Sequence, residues 1–448
     1  MSRAIELLRH ERRARVFYAA LAQSALGTGA AYVALLVIAF DRFDESAWAV
    51  GLVLFADLVP AMLLGPLFGA AADRWSRRTC LVVADFIRAA AFLSIALVDG
   101  FIPTVLLAMV AGVGTGLFTP AALASLPSLV HESRLPAATA LFGVIADLGF
   151  IVGPALAAGL FLLGGAETIL MANAVTFAIS GVALLWLRFG AAPQAEPTEA
   201  RKGLLREARD GLGAVMAMAG LRAVIGASGA MLLFAGLFNV AELPFVRDDL
   251  DAGDAGFAIL TAVYGLGFVG GSLSGSKGGE PADLKRRFLI GLAVVSVGFV
   301  ACGAAPGALV ATLAFALAGV GNGLILVYER LLIQVTVPDR LMARVFGVKD
   351  GLTAWAFAVA FLGAGGLVEA FGARAVIVAA GAGGLVVWLG ARIALRKAWR
   401  GGPGEPPDAG GDDLARRPRT FRGGAVGEQS ADVVGGGGGR GALLDHSH

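Results

Sequence analysis

Apolar residues run along this chain in long blocks, each closed by a short cluster of Gly, Asp, Arg or Pro. A helix rising 1.5 Å per residue needs about 20 apolar residues to cross roughly 30 Å of hydrocarbon. By that measure the blocks predict twelve spanning helices, over 16–40, 47–72, 79–99, 102–130, 137–163, 167–188, 221–246, 253–275, 287–304, 307–335, 343–370 and 372–396. Turns as short as Asp99-Gly100 and Phe371-Gly372-Ala373 separate some neighbours, so eleven or thirteen spans also fit the pattern.

The pattern breaks once in the middle and once at the end. Residues 190–202 are rich in Pro, Ala and Glu, and Gly203 to Met218 then reads as an amphipathic helix, with Leu204, Leu205, Leu212 and Met216 set against Arg206, Glu207, Arg209 and Asp210. Such a helix is expected to lie at the membrane interface. The chain therefore divides into a terminus (1–15), a six-helix half (16–188), a linker (189–220), a second six-helix half (221–397) and a tail (398–448). The tail, with five glycines at 435–439, buries too little apolar surface to offset its ordering entropy and is expected to be disordered.

The halves resemble one another. Gly112-Val-Gly-Thr-Gly116, Val130-His-Glu-Ser-Arg-Leu135 and Phe142-Gly-Val144 recur in order as Gly319-Val-Gly-Asn-Gly323, Val337-Pro-Asp-Arg-Leu341 and Phe346-Gly-Val348. Gly65-x-x-x-Gly69 before Arg77-Arg78 likewise has a counterpart in Gly271-x-x-x-Gly275 before Arg286-Arg287. The sequence thus predicts an all-α membrane protein of two pseudo-symmetric six-helix bundles.

Charge orients it. One side carries the basic N-terminus, Arg74, Arg77, Arg78, Arg134, the linker cations, Lys285 to Arg287, Arg340, Arg344 and Arg392 to Arg400; the other carries only Arg42, Arg247 and Arg374 among many acids. Lys and Arg concentrate in cytoplasmic loops, so both termini are expected in the cytoplasm, with the lipid bilayer as the chain's solvent. The basic start and first apolar run resemble a signal peptide, but the run is too long and lacks a small-residue cleavage site, which predicts a retained span.

Composition agrees: 57% of residues are hydrophobic and 16% charged, against about 25% charged in soluble domains. The 64 glycines fit close helix approach in lipid. A formal net charge of +2 gives no reason to expect nucleic acid as a partner. Cys80 and Cys302 and the scattered His10, His131, His446 and His448 supply neither metal-ligand spacing nor a nucleophile and base, so no metal, no cofactor and no enzymatic activity are expected. The chain also lacks the G-x-x-x-x-G-K-[ST] loop that cradles ATP phosphates.

Between the second and third spans stands Gly69-Ala-Ala-Ala-Asp73-Arg74-Trp75-Ser76-Arg77-Arg78. It resembles the G-x-x-x-D-[RK]-x-G-[RK]-[RK] loop signature of the major facilitator superfamily, with Ser76 where glycine is usual. The resemblance implies twelve helices working by alternating access, and a latch in which Gly69, Asp73, Arg74, Arg77 and Arg78 hold the cytoplasmic side shut and release it on opening. In the fifth span Gly149, Gly153, Pro154 and Gly159 are similar to the family's antiporter motif, which goes with exporters. Phe118-Thr-Pro120-Ala121, Leu126-Pro127 and Ala137-Ala-Thr-Ala140-Leu141, with Asp85-Phe-Ile-Arg88-Ala89 and Leu243-Pro244, are similar to the macrolide and siderophore exporter branch. The likeness runs over residues 10–400.

Ionisable groups within spans are costly and mark function. Asp57 lies about ten residues, or ~15 Å, into the second span. Asp147 sits at similar depth in the fifth and, at about 100° per residue, points away from Gly149 and Gly153. Glu242, toward the outside, and Asp350, beside Lys349 near the cytoplasm, complete the candidates for proton coupling. Asp85 and Arg88 read as a local ion pair near the headgroups, with Glu329 and Arg330 also toward the cytoplasm. Phe17, Tyr18, Tyr32, Phe118, Met231, Phe234, Phe238, Tyr264, Tyr328 and Trp355 suit a broad apolar pocket, most of them as packing. The expectation is a monomeric secondary transporter of a bacterial inner membrane, exporting a small amphipathic molecule (a drug, natural product or siderophore) against protons. A metabolite importer or facilitator is the alternative, and a receptor that keeps the fold is a remote one.

Overall fold

The computed structural model describes residues 8–187, 189, 204–277, 279–396 and 398; within them the side chains of 65–67, 69–74, 150, 204–208, 276, 277, 339 and 340 are excepted. The first seven residues, the Pro-rich part of the linker and the glycine-rich tail lie outside the described residues.

Among the described residues, twelve helices are long and apolar enough to cross a membrane. The first half contains α1 (Arg12–Asp41), α2 (Ala47–Arg74), α3 (Arg77–Leu97), α4 (Phe101–Leu129), α5 (Leu135–Phe161) and α6 (Ala166–Trp186). After the linker helix α7 (Leu204–Ala217), the second contains α8 (Ala219–Pro244), α9 (Gly253–Leu273), α10 (Pro281–Gly303), α11 (Ala308–Thr336), α12 (Asp339–Phe371) and α13 (Ala373–Ala394). Short connections require sharp reversals, and two of these use glycine at positive φ, Gly100 at 125° and Gly372 at 81°, where a Cβ would be strained. The ninth span starts at Pro281 rather than 287, because proline suits the first helical turn; Lys285, Arg286 and Arg287 therefore lie inside the helix. There Lys285 donates to the carbonyl of Leu395 (3.4 Å), just past the end of α13. The linker helix rests on α12, where Asp210 pairs with Arg344 at 3.3 Å and Val215 is buried while Leu212 and Met216 stay exposed.

The two halves superpose in register. Gly112 of α4 lies on the backbone of Asp57 in α2, and Gly319 of α11 lies on that of Tyr264 in α9; Gly116 meets Ala61 as Gly323 meets Phe268. Gly114 packs on Ala84 and Arg88 of α3, and Gly321 on Gly291 and Val295 of α10. All these pairs share one offset of 207 residues, Asp57 to Tyr264 and Gly112 to Gly319 alike. Small residues let backbones cross closely in lipid, and the same crossing has been kept in both halves.

Contacts between the halves gather away from the arginine-rich face. Trp48 in the first turn of α2 packs on Gly365 of α12, where an added Cβ would lie 2.6 Å from the Trp48 Cα. Gly265 of α9 packs on Ile151 of α5, and at the outer rim Ser46 donates to Glu369 at 3.0 Å. Toward the arginine-rich face, Gly143 of α5 and Gly347 and Gly351 of α12 meet open space. The halves are thus joined across the rim opposite the arginine-rich face, and the cleft between them is closed there.

Candidate functional site: a polar belt between the halves

The cleft floor is built where the four crossing helices of each half converge. Asp57 stands half-buried on α2. Tyr32 of α1 is within electrostatic reach of Asp57, of Glu242 on α8 and of Tyr264 on α9. Glu242 is 2% exposed and accepts a hydrogen bond from Thr261 Oγ1 at 2.9 Å. One turn on from Thr261, Tyr264 accepts from Asn322 Nδ2 at 2.8 Å and stacks on Phe315 at 4.4 Å, which stacks in turn on Phe238 at 4.5 Å. Asp57 and Tyr264 occupy equivalent positions in the two halves, so the belt straddles the pseudo-twofold axis. Phe315 and Phe238, 3% and 1% exposed, are packed core that backs Tyr264.

The other acids have different settings. Asp147 is exposed on α5, with Arg330 of α11 in the opposite half as its nearest cation, while Gly149 and Gly153 on the other side of α5 are buried. Asp350 does not lie in the cleft interior: its side chain is 73% exposed and Lys349 reaches it at 3.8 Å. Residue 350 points off the packed face of α12, whereas Lys349 turns inward to the buried Glu329 at 3.9 Å. Asp85 and Arg88 are not near the headgroups. They lie eight and eleven residues into α3, roughly 12 and 16 Å deep, at 0% and 5% exposure.

In the antiporter-like motif an added Cβ on Gly153 would lie 2.5 Å from the Gly29 Cα of α1, and one on Gly149 2.6 Å from the Ala25 carbonyl. Pro154 is buried within the helix. Gly159 does not join this face; nothing lies within 4 Å of its Cβ position, because six residues turn it about 240° away from Gly153, while Ala157, one turn on from Gly153, is the position that stays buried. Gly153→Val is accordingly expected to cost about 1–3 kcal/mol as overpacking. The melting temperature of the detergent-purified protein should drop for Gly153→Val and stay put for Gly159→Val.

At the gating loop, Gly69, Asp73 and Arg74 close α2, with side chains outside the described residues. Arg77 and Arg78 open α3. Ser76 explains its own departure from the signature: its Oγ accepts from the Thr79 backbone N–H at 3.1 Å and caps α3, where glycine would leave that donor to water.

Sequence reading missed Thr261 and the Glu329–Lys349 pair, which bridges two helices and has no local signature. Asn322 had a signal, since it is the one polar departure in a repeated block where the first half has Thr115.

Residues 17–350 match the sequence profile of the Major Facilitator Superfamily. The chain belongs to that superfamily. Its members are transporters, not enzymes, and this one is a multi-pass membrane protein. It is 26% identical over 372 residues to "Multidrug efflux pump Tap" of Mycobacterium tuberculosis H37Rv, covering 80% of this chain and 87% of that protein. A shorter match, 27% identical over 135 residues, covers 29% of this chain and 42% of "Macrolide efflux protein A" of Enterococcus faecalis. Among solved structures it is similar to a bacterial homolog of the human lysosomal transporter Spinster, inward-facing and unoccupied, with TM-score 0.68 at 14% identity over 86% of this chain and 97% of that one.

Proposed function

We propose that this superfamily transporter exports a small amphipathic organic molecule from a bacterial cytoplasm in exchange for protons, both termini lying inside. The observation that carries this reading is Asp57: a half-buried carboxyl midway along a spanning helix, in one belt with Tyr32 and, from the other half, Glu242. A carboxylate without a partner in a dry cavity costs several kcal/mol, so such a group holds its proton when sealed from water and yields it when wet. Switching access from one side to the other then turns one carboxyl into a proton carrier. Tyr32, Phe234 and Tyr264, all partly exposed, supply aromatic surface for a drug-like or siderophore-like molecule, and the efflux pumps named above support the outward direction.

The test is transport by the full chain in everted vesicles from a host lacking its own efflux pumps, with erythromycin and ethidium as probes. Uptake into the vesicles should need an inside-acid gradient and stop when nigericin collapses it. Uptake of either probe that survives the collapsed gradient, or acceptance of neither, would overturn this reading.

A further inference from the structure

The linker helix α7 has two faces, and protein covers one of them. On the covered face, an added Cβ on Gly211 would lie 2.6 Å from the Arg344 carbonyl of α12, and Val215 joins a buried apolar cluster with Leu221, Ile333 and Val345. Asp210, at the edge of this face, pairs with Arg344 at 3.3 Å. The first half repeats the arrangement: Leu8, 207 residues before Val215, packs against the cluster that holds Ala14, Leu126 and Ala138, each 207 residues before its counterpart. The covered face is thus part of the repeated fold. At about 100° per residue, Arg209, Leu212, Gly213, Met216 and Ala217 share the opposite face, and all of them are exposed. There the likeness stops, since the position of Met216 is held in the first half by Arg9, also exposed. The fold does not require apolar side chains on this side, yet Leu212 and Met216 stand one turn apart at 51% and 53% exposure.

The charges around the open face have one sign. Of its residues only Arg209 is charged, and the neighbouring acid, Asp210, is turned to Arg344. A second cation joins it at the end of the helix, where the exposed Arg222 donates through Nη1 to the Met216 carbonyl at 2.9 Å. The direction of α7 follows from its junction with α8. Met218 alone separates the two helices, and its extended backbone (φ −102°, ψ 101°) breaks the helical course, so α7 turns off the axis of the span and runs along the end of the bundle. That end carries most of the chain's arginines, and the positive-inside rule assigns it to the cytoplasm. An apolar strip bordered by cations, set at the ends of spanning helices, complements an anionic phospholipid surface twice over: acyl chain for Leu212 and Met216, phosphate for the two guanidinium groups.

We propose that α7 anchors the second half to the anionic surface of the cytoplasmic leaflet, with Leu212 and Met216 entering the headgroup boundary and Arg209 and Arg222 binding lipid phosphate. Two apolar side chains make a weaker anchor than the full face of a free interfacial helix, so headgroup charge decides whether it holds, and attachment depends on lipid composition. α7 packs on α8 and α12, both of the second half. A helix attached only through its chain ends would float on the leaflet. This one is tied to α12 through Gly211 and Asp210, so a pull on α7 is a pull on the base of α12. The anchor therefore holds the second half, and the first half moves against it when access alternates.

Full-length Met216→Cys carrying the fluorophore NBD tests this in lipid nanodiscs, where Cys80 and Cys302, both buried, stay unlabelled. With phosphatidylglycerol mixed into phosphatidylcholine, NBD emission should shift to the blue and be quenched severalfold by lipids bearing a nitroxide near the headgroup. In phosphatidylcholine alone most of that quenching should be lost. Arg209→Glu, at an exposed position, should lower the quenching in the mixed bilayer to its level in phosphatidylcholine, and Arg209→Lys should keep it. The comparison of the two bilayers is made with both arginines in place and stands apart from how these variants fold. Water-like emission in both bilayers would overturn the proposal, as would equal quenching in both, or quenching untouched by Arg209→Glu. No substrate enters the measurement, so a failure of gradient-driven uptake would sink the export reading and leave these outcomes as they are.

Discussion

Asp57→Asn is expected to abolish uphill export while leaving exchange of substrate down its own gradient. With one proton returned per molecule exported, each unit of pH gradient supports about a tenfold concentration ratio, or about 1.4 kcal/mol. An amide fills the carboxyl's place with nearly the same shape and keeps its hydrogen-bonding capacity, but it carries no proton between the two sides. The variant should therefore insert, bind and alternate, yet accumulate nothing. Counterflow in proteoliposomes preloaded with unlabelled probe measures the exchange, and vesicles with an imposed pH gradient measure the accumulation. Full accumulation by Asp57→Asn would move the search for the carrier to Glu242, the other acid in the belt, which lies sealed behind Thr261 in this conformation. Loss of counterflow together with accumulation would make Asp57 a structural residue.

What could be read from the sequence followed what is periodic or local. Spanning helices declare themselves by length and hydropathy, and the repeat was visible in its glycines because close backbone crossings admit little else. Gly149 and Gly153 were legible for the same reason. Depth along a helix was harder. Asp85 and Arg88 stand three residues apart, which reads as a cheap surface pair, and only tertiary packing reveals that Phe118 and Phe177 close over them. Asp350 and Lys349 show what adjacency leaves out: a helix turns 100° per residue, so Asp350 is 73% exposed while Lys349, 3.8 Å from it, also faces the buried Glu329. Bridges such as Thr261 to Glu242 and Asn322 to Tyr264 join distant segments. Sequence supplies each residue but not the meeting. The constant offset between halves narrows that gap, because it pairs Asp57 with Tyr264 and identifies a belt from either one.

Arg247→Ala is expected to open the end of the cleft that is closed here. Arg247, in the turn after α8, donates through Nε to Asp254 at 2.7 Å in its own half and through Nη2 to Asp41 of α1 at 3.1 Å in the other half. It also lies over the Phe40 ring at 5.7 Å. Arg247 is thus the charged tie between the halves at this rim, held in place by one acid and holding the other. Asp41 is 44% exposed, which weakens the pair by solvent screening, so the tie contributes about 0.5–1 kcal/mol. Because the tie exists only when this end is shut, its loss shifts the equilibrium toward the opposite conformation by about two- to fivefold. Ala47, 3% exposed at the first turn of α2 beside the seal, is a suitable reporter. The native Cys80 and Cys302 are buried and should stay silent in labelling. In Ala47→Cys, a membrane-impermeant maleimide added from the periplasmic side should react about two- to fivefold faster once Arg247 is replaced by Ala. Arg42→Ala is the control, since Arg42 binds Glu167 and Asp99 within the first half and ties nothing across the cleft. Equal acceleration in both variants would mean a general loosening of the rim, and no acceleration in Arg247→Ala would mean that the Ser46–Glu369 hydrogen bond and the apolar contacts of Trp48 and Gly51 with α12 hold the seal without it.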